Sequence, residues 1–313
     1  MTDTPEGTRL LVMPEHDGLR LDQFLAAATA LSRRAARKMI SEGAVARNSR
    51  PTRVLGRQLE WGDVIDLLRP ATELEVPSRP ELTELTELPI LHEDGWLAAV
   101  AKPAGILSQP SSRSTTELAL DQLTTLRLAL DTGSRPYLRM VHRLDRLTSG
   151  VTLFARNPQA QTPIVRAWAD GAVERRYLAV IEGIPEINCL IDQPIGRDPD
   201  HDWRFRVSEN GREAKTEVRV IDRLDGGLAV VECRLLTGRT HQVRVHLAAW
   251  GHPVLGDRLY GSRRAGETAR PLLHASHLAL PHPKDGRRLR INAPLPADMA
   301  KYVAAATAAD YEG

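Results

Sequence analysis

The stretch R-M-V-H-R-L-D-R-L-T-S-G-V-T-L-F, residues 139–154, decides how this chain is read. Its second half alternates as a strand, with Val151, Leu153 and Ala155 on one face and Thr152 and Phe154 on the other. Thr148, Ser149 and Gly150 ahead of it are turn residues. His142 to Asp145 therefore sit on a bend that enters a sheet. One carboxylate, Asp145, stands there two residues after the guanidinium of Arg143. A cation within a few ångströms keeps a carboxylate ionised and orients it, which suits a nucleophile or a base. R-L-D alone recurs at Arg20–Asp22 and Arg223–Asp225, so the informative object is the longer string H-R-L-D-x-x-T-S-G.

Working outward, further motifs fall in order: K-P-A-G at Lys102–Gly105, R-R-Y-L-A-V-I-E-G at Arg175–Gly183 and T-G-R-T-H-Q-V-R-V-H-L at Thr237–Leu247. G-H-P-V-L-G-D-R-L-Y-G at Gly251–Gly261 and L-H-A-S-H-L-A-L-P-H-P at Leu273–Pro283 follow. Together they resemble the RluA family of RNA pseudouridine synthases from about residue 90 to 295. The resemblance implies an isomerase that converts uridine to pseudouridine within RNA, with no cofactor, and with Asp145 as the essential aspartate. It places Tyr177 against the target base and Arg143 in the space a uridine leaves when it quits the stack. It also puts Lys102 in the wall of the cleft. Two departures stand out. Leu147 occupies a position that is often acidic, and the segment after Gly105 lacks the usual His-Pro-Gly.

The 313 residues are enough for two cores, and a hydrophobic content of 42% is that of a globular protein. No run of eighteen apolar residues occurs, so no membrane-spanning helix is expected. The N-terminus lacks the pattern of a secretory signal. With two cysteines, Cys189 and Cys233, a reduced cytoplasmic chain is the simplest expectation, and a monomer. A net charge of +2 does not by itself announce a nucleic-acid binder. Its distribution is more telling. Residues 33–58 carry Arg33, Arg34, Arg37, Lys38, Arg47, Arg50, Arg53 and Arg57 against Glu42 alone.

That cluster lies in a module expected over residues 10–70, after a tail at 1–9. Leu21, Phe24, Leu25 and Ala28 have helical spacing, and a second helix is predicted from the N-cap Ser32 to Gly43, with Ala36, Met39 and Ile40 inward. R-L-D-Q-F-L, L-S-R-R-A-A-R-K-M-I-S-E-G-A-V and G-D-V-I resemble the alpha-L motif of a ribosomal small-subunit protein, except that Asn48-Ser49 stands where Asn-Gly is usual. Arg33, Arg34, Arg37 and Lys38 become candidate RNA contacts, since neutralising phosphates needs clustered cations. Residues 71–89, rich in proline and Glu-Leu pairs, read as a linker. Residues 90–313 read as the catalytic domain. There a hairpin, I-L-H-E-D-G-W-L-A-A-V-A-K, is followed by an amphipathic core helix at 117–131, a helix at 159–170, and strands at 215–221 and 228–236. Consecutive hairpins without a βαβ rhythm predict an α+β domain with a mixed, largely antiparallel sheet.

Asp145 needs a cation. The run from Thr240 reads as a helix whose buried stripe is Val243, Leu247 and Trp250, so Arg244 beside it is partly buried and pairs with Asp145; the alternative gives Arg239 that role and Arg244 a phosphate. The histidine pairs His241/His246 and His274/His277 lack a H-E-x-x-H frame or a cysteine pair, so no metal is expected. Breaking a bond to an anomeric carbon ordinarily takes two carboxylates. An isomerase whose detached base is itself the final nucleophile can manage with one. The readings that compete are a catalytically silent RNA-binding protein and a nucleoside hydrolase, the latter needing a second carboxylate beside Asp145. Ribosomal RNA of the large subunit is the favoured substrate, with transfer RNA as the alternative.

Overall fold

Alternating apolar residues form strands here because one face of each finds a helix to cover it. The computed structural model describes residues 8–29, 31–68, 88–110 and 117–303. Residues 1–7 of the expected tail and all but Leu88 and Pro89 of the expected linker lie outside them. The chain forms two compact units, one from residues 1–89 and 109–139, the other from residues 90–108 and 140–313.

In the first unit, strands β1 (Arg9–Leu11), β2 (Val45–Arg47), β3 (Arg50–Pro51) and β4 (Val64–Leu67) form an antiparallel sheet ordered β1-β4-β2-β3. The first strand thus starts inside the stretch read as a tail. Helices α1 (Leu21–Ala28) and α2 (Arg33–Ser41) pack on it through Leu21, Phe24, Leu25, Ala36 and Ile40. Ser32 caps α2, its Oγ accepting the Ala35 N–H at 3.2 Å. Asn48 and Ser49 both take left-handed backbone (φ 50° and 63°), which explains the usual Asn-Gly there. Ser49 is anchored by donating its hydroxyl to the Gly133 carbonyl at 3.0 Å. Gly133 ends α3 (Leu120–Thr132), the helix expected at 117–131. That helix belongs to this unit, where Arg9 donates to the Leu130 carbonyl at 2.9 Å and Arg135 lies over the Trp61 ring.

The second unit is built on one large sheet. Its strands are β5 (Ile90–Glu93), β6 (Leu97–Lys102), β7 (Arg139–Met140), β8 (Ser149–Ala155), β9 (Glu174–Glu182) and β10 (Cys189–Asp192), then β13 (Lys215–Leu224), β14 (Leu228–Leu235), β15 (Leu273–Pro281) and β16 (Arg288–Asn292). The order is β10-β13-β14-β9-β15-β8-β6-β5, with β16 on β15 and β7 on β8. Only β8 and β15 run parallel among the described pairs, so the sheet is mixed and largely antiparallel. A separate hairpin joins β11 (Ile195–Arg197) to β12 (Phe205–Val207).

Helix α4 (Pro158–Ala169) covers Val151, Leu153 and Ala155 with Ala160, Ile164 and Ala167. Helix α5 (Gln242–Ala249) sets Val243 and Leu247 on Ala179, Ile181 and Val231. The alternate residues Leu178, Val180 and Val230 meet Met299 and Val303 of α6 (Ala297–Val303). Strand β9 is thus sandwiched between helices. Its odd positions face α5, which is how Tyr177 comes to lie on the α5 side.

One glycine sets where the central motif enters the sheet. Gly150 has φ +124°, and a Cβ there would lie 2.2 Å from the Ala275 carbonyl oxygen across the parallel β8–β15 contact. Backbone cannot yield that far. Gly150→Ala is expected to destabilise the protein by about 3 kcal/mol or more, the cost of overpacking combined with a forbidden φ. Urea unfolding measures it, and a loss under about 1 kcal/mol would contradict this packing.

Candidate active site

The bend at residues 142–148 is held by backbone and side-chain bonds on both sides. Thr148 N–H donates to the Asp145 carbonyl at 3.1 Å, closing the turn. Ser108 Oγ donates to the Leu144 carbonyl at 2.7 Å and accepts the Leu144 N–H at 3.1 Å. Gly105 N–H donates to the Arg146 carbonyl at 2.8 Å, and Arg146 Nε returns a bond to the Gly105 carbonyl at 2.7 Å. The K-P-A-G loop and the aspartate loop are therefore one piece. Arg270, 6% exposed, ties the far side by donating to the Leu147 carbonyl at 3.2 Å and to Ser149 Oγ at 3.3 Å.

Asp145 projects from this bend into a cleft, its side chain 24% exposed. Arg143, Tyr177, Arg239, His241 and Arg244 line the same cleft, with Leu235, Val243 and Leu273 as apolar floor. Of the two cations proposed for Asp145, Arg244 is the one within reach, its Nη1 3.6 Å from Oδ2. Its shorter bonds go elsewhere. Nε and Nη2 grip both oxygens of Asp257 at 2.7 and 2.9 Å, and Asp257 is fully buried. Asp257 also accepts the N–H groups of Leu259 and Tyr260, each at 3.2 Å. Burial opposes the guanidinium charge of Arg244, but the Asp257 hydrogen bond and the charges of Asp257 and Asp145 outweigh it and hold the group above its usual range. Asp257 is thus the carboxylate that sequence reading did not single out. It lies in the quoted G-H-P-V-L-G-D-R-L-Y-G run, and it accepts hydrogen bonds from Arg244 and the backbone.

The helix expected from Thr240 begins at Gln242, because His241 takes left-handed backbone, φ 58° and ψ 18°. Such a conformation costs a non-glycine residue about 1–3 kcal/mol and collects at functional sites. Buried Gln242 supports the bend: Oε1 accepts from Arg239 N–H at 3.0 Å and Thr237 Oγ at 2.8 Å, and Nε2 donates to the Lys215 carbonyl at 2.9 Å. His241 Nε2 lies 3.8 Å from Asp145 Oδ1, and its Nδ1 is 2.7 Å from the Tyr260 hydroxyl. Sequence reading considered His241 only as a metal ligand. Among the described residues no cluster of three or more His, Cys, Asp or Glu could hold a metal.

Tyr177 is half-buried, and burial pushes its phenol up to about 12, reinforced by Asp145 and opposed by Arg175. At neutral pH the ring is a neutral hydrogen-bond donor. Arg143 is exposed at the cleft mouth with no ion-pair partner among the described residues. Arg239 lines the cleft while its Nε donates to the Glu213 carbonyl at 2.8 Å. Lys102, placed by the resemblance in the wall of the cleft, is 1% exposed, its ammonium donating to the Pro103 and Arg146 carbonyls at 3.0 Å each. Burial pushes it down to about 7, against the attraction of Asp145. It holds the loop behind the cleft and meets no solvent.

In the first unit, Arg33 and Arg37 are about half exposed and point at a buried carboxylate, Asp22, at 3.7 and 2.8 Å. Lys38 reaches Glu42 at 3.9 Å, and Arg34 is exposed with no ion-pair partner among the described residues.

The bend thus presents one partly exposed carboxylate beside a restrained arginine and an aromatic ring. Residues 97–249 match the RNA pseudouridylate synthase family, and residues 19–65 match the S4 domain. An uncharacterized RNA pseudouridine synthase of Mycobacterium bovis is 37% identical over 297 residues, covering 92% of this chain and 95% of its own. Ribosomal large subunit pseudouridine synthase D of Nitrosomonas europaea is 35% identical over 306 residues, covering 94% of this chain and 87% of that protein. The solved structure of human RNA pseudouridylate synthase domain containing 1 superposes with a TM-score of 0.57 at 25% identity, covering 74% of this chain and 97% of that one. The chain belongs to the RNA pseudouridylate synthase family and is an isomerase acting on RNA, with an S4 domain near its N-terminus.

Because Asp257 is buried, removing its cation leaves an uncompensated charge. Arg244→Met is expected to cost about 3–5 kcal/mol in urea unfolding, and adding Asp257→Leu to it should restore most of that loss. A double variant no more stable than the single one would show that the pair is not an isolated unit.

Proposed function

We propose that this enzyme isomerises particular uridines of large-subunit ribosomal RNA, drawing the target base out of its stack and using Asp145 as the essential carboxylate. One observation carries the reading: Asp145 is the carboxylate among the described cleft residues, and Arg244 and His241 both face it. The similarity to a relative named for the ribosomal large subunit supports the substrate. The isomerisation breaks the bond from ribose C1′ to N1, turns the uracil, and joins C1′ to C5, whose proton leaves to solvent while N1 takes one up. Asp145 can attack the sugar, attack the base, or take a ribose proton. All three require an ionised, directed carboxylate.

An extruded uracil needs a surface to replace its lost stacking. The Tyr177 ring beside Leu235, Val243 and Leu273 offers one, worth about 1–3 kcal/mol. The base-flipping cost of a few kcal/mol is least at a weakly stacked nucleotide. Arg143, exposed at the cleft mouth with no ion-pair partner among the described residues, fits the vacated space in the RNA. The S4 unit supplies phosphate contacts through Arg33, Arg34, Arg37 and Lys38.

Asp145→Asn is expected to keep RNA affinity within about twofold while abolishing tritium release from uridine labelled at carbon 5. Mapping pseudouridine in ribosomal and transfer RNA, with and without the gene, tests the substrate. Loss of sites only from transfer RNA would move the assignment. Replacing Arg33, Arg34, Arg37 and Lys38 by alanine should flatten the salt dependence of affinity by roughly 0.7–0.9 logarithmic units for each phosphate contact removed. An unchanged slope takes that helix out of the RNA interface.

A further inference from the structure

Beyond Asp145, Tyr177 and Arg244, the cleft holds a histidine in a strained backbone conformation, and the groups behind it determine which nitrogen carries its proton. Tyr260 Oη receives the Phe205 N–H at 3.1 Å and stands 2.7 Å from His241 Nδ1. One lone pair of the hydroxyl is taken by that N–H, and with the hydroxyl as donor its acceptor among the described residues is His241 Nδ1. Nδ1 then bears no hydrogen, so a neutral imidazole carries its proton on Nε2. Nε2 is the nitrogen that faces Asp145 Oδ1, at 3.8 Å.

We infer that His241 is a positioning residue for Asp145, held by Tyr260 as the Nε2–H tautomer so that it presents a hydrogen-bond donor to the carboxylate. The inference rests on the reading of Asp145 as the essential carboxylate. Phe205 packs edge-on to the imidazole at 5.9 Å, and Tyr260 does so at 5.6 Å, so the β11–β12 hairpin and the 257–260 turn clamp the ring from two sides. The titratable and charged groups around it are Asp145, Arg244, Asp257 and Arg143, together with the Tyr260 hydroxyl. Burial lowers the imidazole below its usual range; Arg244 and Arg143 add to that and Asp145 and Asp257 oppose it, so the neutral form prevails near neutral pH. A donor at 3.8 Å is too long for a hydrogen bond at rest. Contacts of this kind close up when substrate shuts water out. The two anchors divide the carboxylate between them: Arg244 addresses Oδ2 and His241 addresses Oδ1.

The left-handed backbone makes the variants informative. His241→Gly accepts φ 58° and removes the ring, whereas His241→Gln keeps a terminal N–H near the Nε2 position. Outer groups that orient a reacting residue typically cost 10–100-fold when removed. His241→Gly is expected to lower the single-turnover rate on RNA at least tenfold, with affinity within twofold of the parent. Added imidazole should restore part of the rate, and His241→Gln should lie between. In the full-length protein, the ¹⁵N spectrum of labelled histidine should report the Nε2–H tautomer for His241, and Tyr260→Phe should convert it to a mixture. An Nδ1–H tautomer in the parent protein, or His241→Gly within twofold of the parent rate, overturns the inference. Asp145→Asn run alongside separates the two readings. An active Asp145→Asn refutes the reading of Asp145 itself. An inactive one beside a fully active His241→Gly refutes only the role of His241.

Discussion

The buried pair of Arg244 and Asp257 is the constraint on which the cleft depends. A guanidinium that is 8% exposed cannot stand without an anion, and a carboxylate with no exposure cannot stand without a cation. Each therefore dictates the other's place, which ties helix α5 to the turn at residues 257–260. The division of bonds also sets the character of Asp145. Had Arg244 no other partner, it would close on Asp145 in a tight two-point pair and leave that carboxylate coordinated on both oxygens. Asp257 takes the short bonds, so Asp145 is drawn at 3.6 Å while its side chain stays partly open to solvent. The arginine orients the carboxylate without consuming it.

A carboxylate used this way must also be located by something other than its own contacts. Strand β8 does this from one side, because Gly150 and Ala275 approach so closely that the strand cannot slide by a residue without a clash. Ser108 and Gly105 do it from the other side by bonding the backbone at Leu144 and Arg146. Lys102 belongs to the same support. Its buried ammonium satisfies the Pro103 and Arg146 carbonyls, so a charged residue at a strand end serves as a backbone brace.

Much of this was legible beforehand, and the parts that were not share a cause. Residues 139–154 gave the bend, the strand and Asp145, because alternation and turn residues are local properties. The helix bearing Arg244 was visible from its apolar stripe, and so was the need for an anion. The identity of that anion was not, since a lone Asp in a turn thirteen residues on announces nothing until the chain has returned. His241 was hidden for a related reason: left-handed backbone at a histidine leaves no mark in sequence, and the Tyr260 hydroxyl that selects its tautomer comes from another segment. Lys102 was expected in the wall of the cleft, and only its burial shows an ammonium turned to the backbone. Helix α3 lies in sequence within the catalytic region, yet groups with the N-terminal unit through Ser49 and Gly133, a bond that no periodicity could foretell.

The same device recurs away from the cleft, and it bears on how a chain of net charge +2 can hold RNA. Asp22, Asp63 and Asp198 are each almost wholly buried, and each receives an arginine: Arg37 at 2.8 Å, Arg47 at 2.6 Å and Arg204 at 2.5 Å. Counted as charges these pairs cancel and leave the sum unchanged. Counted as geometry they do not. The carboxylate lies beneath the surface, while Arg37 and Arg204 remain about half exposed. A guanidinium has five N–H donors, and an aspartate occupies at most a few of them. Those left over point outward from a side chain whose rotamers are already restricted, so less entropy remains to be lost when a phosphate arrives. Arg34, Arg50, Arg53 and Arg57 are exposed in the N-terminal unit, with no ion-pair partner among the described residues. The chain thus presents two kinds of exposed arginine, oriented by a buried carboxylate or not, and net charge does not tell them apart.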